Sequence, residues 1–536
     1  MTKSQVRVDH TAASGARSAA YRDPYYLYLQ MIAQLGEGRA FLLDAAAEET
    51  SKYQMSLVAA VPVLEVQVKD GVTSLFAVEG LDAYLISNLS ASGIAREVST
   101  EASLIPVGME SMKVSESVVS DHPIFYSGVD PMLVLERIRQ AMRELYGETE
   151  FHDAPFAAGF LGYIGYDAVH YLEKLPKTTV DDRGLPDIRL QVHAVVVQLV
   201  HSDVSIYNGI SGLSSVVSEQ VQRRLEEQVS SVQRLFDAPS PLNQPKILAE
   251  ARSAERGSFS AAFATDDVSQ TDFEQNVSRA REYIAAGDIF QVVLSKRVRA
   301  QKQRHAYVIY DELRKLNPSP YMFIAEYPDM RVFGASPEVQ FRSVGGVAEM
   351  KPIAGTSKGR GKTPSEDAAL ADALYRNEKE RAEHVMLVDL CRNDLGRVCK
   401  IGTVHVKDLM HVEAYSHLFH LVSEVTGQLR EDVSVFHALL ATFPAGTLSG
   451  APKIRAMEII DELESLRRGP YGGMIGMIDF NANANTAIVI RTLVETGEAY
   501  YVQVGAGIVA DSDPTQEWLE CGHKAGAVLT VLGLQK

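Results

Sequence analysis

The chain has 536 residues, 46% hydrophobic and 23% charged, a globular composition large enough for two sizeable cores or one very large one. Its formal net charge of −17 excludes nucleic acid and anionic membrane as main partners, since both need a basic surface. An anionic substrate would need a local cation to be held.

Cys391, Cys399 and Cys521 form no CxxC pair and cannot complete a disulfide framework, which implies a reducing, cytoplasmic setting. No apolar run approaches the ~20 residues that span a bilayer. Residues 1–23 read as a flexible polar tail. Their Ser, Ala and Arg content, with Asp9 as the one acid before Asp23, also fits organellar import, the lesser reading. Residues 24–236 mix strand-like runs such as 194–197 with amphipathic helices over 131–145 and 214–236. The stretch 237–270, opening Asp-Ala-Pro-Ser-Pro, reads as a linker to a catalytic region at 271–536.

That region opens with a capping box, Thr271 and Glu274, followed by Phe273, Val277, Ala280 and Ile284 at helical spacing. Residues 289–294 read as a buried strand. Beyond them, strands (332–334, 500–504) alternate with long helices over 365–390, 452–466 and 514–532. The class is α+β, rich in α/β alternation, with large sheets.

Three glycine patterns do not signal nucleotide binding. Gly355, Gly361, Lys362 and Thr363 imitate a phosphate loop with one residue too many between the glycines. Gly505 and Gly507 follow a strand, but Asp511-Ser512-Asp513-Pro514 delays the next helix. Gly159, Gly162 and Gly165 suit close strand packing.

Two acidic helices stand out. Glu380, Glu383 and Leu387 share one face, and so do Glu517, Glu520 and Lys524, whose helix starts at Asp513 with Pro514 first. Both pairs have apolar flanks. Burying several carboxylates together requires protonation or a cation, and an all-oxygen set favours Mg²⁺ over zinc.

Dense segments surround these helices. They include Gly334-Ala-Ser-Pro-Glu338, Pro352-Ile-Ala-Gly-Thr356, Arg392-Asn-Asp-Leu-Gly396, His420-Leu-Val-Ser423, Gly446-Thr-Leu-Ser-Gly-Ala-Pro-Lys453 and Arg468-Gly-Pro-Tyr-Gly-Gly473. Together, from about Phe273 to Leu534, the chain resembles the chorismate-utilising enzymes, and within them the branch of anthranilate synthase component I. The resemblance implies large antiparallel-type sheets packed together and flanked by helices. It implies that Glu383 and Glu520 ligate Mg²⁺ directly, with Glu380 and Glu517 in support. Gln291, Gly355, Thr356, Tyr471, Arg491, Gly505, Ala506, Gly507 and Lys524 are then the substrate-binding set, Arg491 suiting a carboxylate. Glu338 would be the general acid, and His420 with Thr447 would serve the pyruvate-releasing step. Other branches carry a lysine where this chain has Gln291 or Ala354. Without an amine at either place, direct attack by ammonia remains, the anthranilate reaction. No cysteine here sits in an amidotransferase context, so ammonia is expected from a separate glutamine amidotransferase subunit in a hetero-oligomer. The alternatives are an aminodeoxyisochorismate synthase that stops before pyruvate loss, and a non-catalytic regulatory relative.

In the same family a Leu-Leu-Glu-Ser segment and Pro-Tyr-Met form a tryptophan effector site. Pro320, Tyr321 and Met322 are present, but the other segment reads Leu42-Leu43-Asp44-Ala45. Ala45 lacks the hydroxyl, so tryptophan inhibition is expected to be weak or absent.

Overall fold

The computed structural model describes residues 23–45, 55–94, 123–147, 156–200, 203–237, 245–255, 264–357, 359–414, 418–497 and 499–534. The tail reading for 1–23 therefore falls almost wholly outside the described residues. No helix among them is long and apolar enough to cross a membrane.

The strands form one antiparallel hydrogen-bonded network. Its centre is the pair Met55–Lys69 and Ile188–Val200. The register slips at Pro62, beside Val61 at φ 64°, so the pair bends there. One arm runs from this pair through Ala40–Asp44, Tyr321–Glu326, Met330–Ser336, Thr492–Thr496 and Ala499–Ile508 to Gln291–Gln301. The other runs through Gly159–Ile164, Met474–Asp479 and Ala484–Ile488 to Val339–Val344, then on to Val347–Met350 and Phe419–Gln428. Successive side chains of a strand alternate between faces. Phe41, Leu57 and Ala59 therefore join Leu161, Tyr163 and Ile475 of the second arm in one core. Leu42, Val58 and Ala60 point the other way into a larger one.

The arms cross the boundary drawn from sequence. Ala40–Asp44 pairs with Tyr321–Glu326, and Gly159–Ile164 pairs with Met474–Asp479. The 237–270 stretch is not a bare linker either. It carries the helix Lys246–Ala254, with Leu248 fully buried, and the strand Ala264–Asp266 paired to Gln291–Gln301. Among its described residues Leu248 is fully buried and Ile247 and Ala251 pack partly against the core, too short a run to register as periodicity.

Two helix readings also change. The helix Gln270–Ala286 is capped by Ser269, whose hydroxyl accepts from the Asp272 amide at 3.1 Å, rather than by Thr271. The span 365–390 is two helices, Pro364–Arg376 and Glu378–Val398. Asn377 separates them in extended conformation, and its side chain accepts from the amides of Lys379 and Glu380. An asparagine that can cap competes with helix continuation.

Candidate active site

The break at Asn377 puts Glu380 and Glu383 in the first two turns of a new helix, where the dipole favours anions. Across from it lies Pro514–Val531, capped as expected by Asp513, which accepts from the Gln516 amide. Burial raises the Glu383 carboxyl, and so does the negative charge of Glu380 and, across the gap, of Glu520. Burial raises Glu517 too, against the hydroxyl of Ser512. Glu520 pairs with Lys524 at 2.8 Å.

Among the described residues no three acidic, His or Cys side chains converge to enclose a metal ion. Mg²⁺ needs only one or two protein carboxylates and completes its octahedron with water and substrate oxygens. Glu383 and Glu517, raised first by burial and further by a neighbouring carboxylate, fit such an ion, and would not make a closed zinc site.

The residues expected to bind substrate gather on the adjoining strand ends. The Lys524 ammonium donates to the Gly505 carbonyl at 3.0 Å, joining the acidic helix to Ala499–Ile508. A Cβ on Gly505 would lie 2.7 Å from the Tyr471 hydroxyl and 2.8 Å from the Leu294 carbonyl, so only glycine fits. A Cβ on Gly507 would lie 2.9 Å from Nε2 of Gln291. Gly505 and Gly507 thus face the site. Ala506 between them points the opposite way into the core at 0% exposure, so its side chain is not part of a substrate surface. Gln291 is buried, and its carboxamide oxygen has no partner.

His420 and the Gly355-Thr356 turn form a second edge. Nδ1 of His420 lies 3.1 Å from the Gly355 carbonyl, which can only accept. Nδ1 therefore carries the proton, and Nε2 is the basic nitrogen. Burial holds the imidazole pKa down, so the ring is neutral. Thr356 ties this edge to the acidic helix: its hydroxyl is 3.1 Å from Nδ1 and its amide 3.3 Å from Oε2 of Glu380.

Glu338 stands at the third edge, just ahead of Val339–Val344. Burial pushes its carboxyl up to about 8, against the lowering effects of the Thr447 hydroxyl, Arg491 and Lys524. Thr447 Oγ1 donates to Glu338 Oε1 at 3.3 Å, so the structure brings Thr447 to the acid. Arg491 holds a left-handed backbone at φ 51°, a conformation that costs a non-glycine residue about 1–3 kcal/mol and recurs at functional sites.

Three supports were not read from sequence. His384, fully buried, meets the Ser423 hydroxyl at 2.6 Å and binds the acidic helix to Phe419–Gln428. Lys453 forms a buried pair at 2.7 Å with Asp394 of that helix. Arg468 donates to the carbonyls of Leu448 and Val293, fixing the turn beside Thr447. Asp394 did carry a signal: it lies seven residues after Leu387, on the same apolar face.

The effector segments also meet. Asp44 pairs with Met322, and burial pushes the Asp44 carboxyl up to about 6. The Ala45 amide donates to the Ser56 hydroxyl at 3.1 Å, which in turn donates to Asp44 Oδ1. A hydroxyl thus stands beside position 45, though on another strand.

Two acidic helices, the raised Glu338 carboxyl, the neutral His420 ring and Arg491 thus gather around one candidate site. The chain belongs to the chorismate binding enzymes, whose family model matches residues 122–530. It is 45% identical over 384 residues to anthranilate synthase component 1 of Acetivibrio thermocellus, covering 70% of this chain and 75% of that one. It is 40% identical over 416 residues to aminodeoxychorismate synthase component 1 of Bacillus subtilis, covering 78% and 85%. Among solved structures it is similar to anthranilate synthase component I from Streptococcus pneumoniae TIGR4, with TM-score 0.68 and 29% identity over 97% of this chain and 100% of that one.

Proposed function

We propose that this chain is the aminating, pyruvate-releasing component of an anthranilate synthase, turning chorismate and ammonia into anthranilate, pyruvate and water. The observation that carries this reading is Glu338, a carboxyl held neutral up to about 8 at the edge of a site that also holds a neutral histidine. Neither position 291 nor 354 offers an amine for water activation or covalent attack.

The residues divide the work. Arg491 and Lys524 take carboxylate charge. Glu383 and Glu520, with Glu380 and Glu517 behind them, would hold Mg²⁺, which would supply the positive charge that lets an acidic protein bind a dianion. Ammonia adds at C2 while the C4–O bond breaks, and Glu338 gives its proton to the departing hydroxyl, which leaves as water. The buried Gln291 oxygen, an acceptor without a partner, suits an N–H of the ammonia. The added ammonium sheds a proton, and Nε2 of His420 then takes the C2 hydrogen. The C3–O bond breaks with its electron pair on oxygen, the ring becomes aromatic, and the released enolate takes a proton at carbon to become pyruvate.

Ammonia comes from a separate glutamine amidotransferase subunit, which the words "component 1" in the relatives' names support. The test uses the isolated chain with chorismate, Mg²⁺ and an ammonium salt. Fluorescent anthranilate is expected, and a non-aromatic aminated product would instead favour the kind of reaction named for the Bacillus subtilis relative. At fixed free ammonia, kcat should be level below about 8 and fall as pH rises through it, since the acid works only while protonated. A profile flat across that value counts against Glu338 as the acid.

Tryptophan feedback is weak in this reading, because Ala45 lacks the hydroxyl and Ser56 already donates to Asp44. Ala45→Ser is expected to tighten tryptophan inhibition about tenfold, the worth of one hydrogen bond to a charged ligand. Micromolar inhibition of the unaltered chain would end this part of the proposal.

A further inference from the structure

Gln340 lies two residues after Glu338, where the register of Val339–Val344 against Ala484–Ile488 slips between Val339 and Phe341. The bulge turns its side chain inward, to 1% exposure. Its amide nitrogen donates to the Thr442 carbonyl at 3.0 Å, and that contact fixes which end is which. The carboxamide oxygen is left buried with no partner. Gln340 and Glu338 both line a half-open cleft with room for a water, whose other walls include Cys391, Ala445 and Thr447. A buried acceptor without a partner is costly, and a water with acceptors on two sides would relieve it.

We propose that Gln340 is a positioning residue for the acid: its carboxamide oxygen holds a water that donates its second hydrogen to the Glu338 carboxyl. This rests on the reading of Glu338 as general acid. When Glu338 gives its proton to the C4 hydroxyl and water departs, a carboxylate remains in a buried place. Thr447 then supplies one hydrogen bond to it and the held water another, with no further proton moving. The charged and titratable groups around Glu338 are Arg491 and Lys524 on the substrate side, Cys391 on Glu378–Val398, and Lys351, which pairs with Glu413 at 2.7 Å. A change at Gln340 leaves all of them in place.

The test is the pH profile of kcat for the full chain with an ammonium salt, comparing the unaltered protein with Gln340→Leu and, should that fail to fold, Gln340→Met. Loss of the water makes the carboxylate harder to form. The falling limb should move upward by about one pH unit and kcat below it should drop several-fold, with KM for chorismate unchanged. A variant limb in its original place overturns the proposal, whether or not kcat falls, because a merely structural role moves activity without moving the limb. A crystal structure of the unaltered chain decides independently: an ordered water within reach of both side chains is expected, and a dry cleft refutes it. If the unaltered protein has no falling limb near this pH, the reading of Glu338 has failed rather than the role of Gln340.

Discussion

Glu338→Gln should lower kcat about 10²–10⁴-fold in the ammonia-dependent reaction, the usual worth of a positioned general acid, and leave KM for chorismate close to its original value. Glutamine keeps the shape and the acceptor that Thr447 addresses, but has no proton to give. The same change should not destabilise the fold. A carboxyl raised to about 8 binds its proton more tightly folded than unfolded, so between its ordinary value and about 8 it lowers stability as pH rises. Glutamine removes that penalty, and the variant should melt no lower than the parent at alkaline pH. Retention of most of the parent rate would refute the acid assignment.

The second large effect is on stability. Asp394 and Lys453 are 2% and 7% exposed and meet at 2.7 Å, with the Thr442 carbonyl 3.5 Å from the ammonium. Asp394→Ala leaves that ammonium buried and unpaired, which should cost about 3–5 kcal/mol. The double change Asp394→Leu with Lys453→Met should recover most of the loss, because an apolar pair of similar volume replaces the ion pair at little net cost. The midpoint of urea unfolding reads both. A single variant as stable as the parent would show the pair to be solvated. Activity should follow stability, since Asp394 lies on the helix that carries Glu380 and Glu383.

Much of the local structure could be read in the sequence. The Asp513 cap, the Pro514 start, the closing Gly287 in left-handed conformation at φ 84° and the shared faces of the glutamates all depend on a few neighbouring residues. The break at Asn377 was missed because asparagine inside an apolar-periodic run looks neutral until its side chain is seen accepting two amides. The inward side chain of Ala506 was hidden for a related reason: a motif names three consecutive residues, whereas a strand sends only alternate ones to a face. Gln340 was out of reach, since its inward turn depends on a slip against a strand about 145 positions further on. The pairing of Thr447 with Glu338 spans |i−j| = 109, and nothing local announces it.

The ladder between Ala40–Asp44 and Tyr321–Glu326 makes the protein indivisible along its length. A fragment starting at Thr271 would lose the strand that covers one side of Tyr321–Glu326 and the partner of Met474–Asp479. Each would become a raw edge with unpaired amides and carbonyls beside an opened core, the kind of surface that recruits other chains. The proposed catalytic residues Glu338, His420 and Thr447 all lie in that fragment, yet the sheet that aims them is finished only by the first half of the polypeptide.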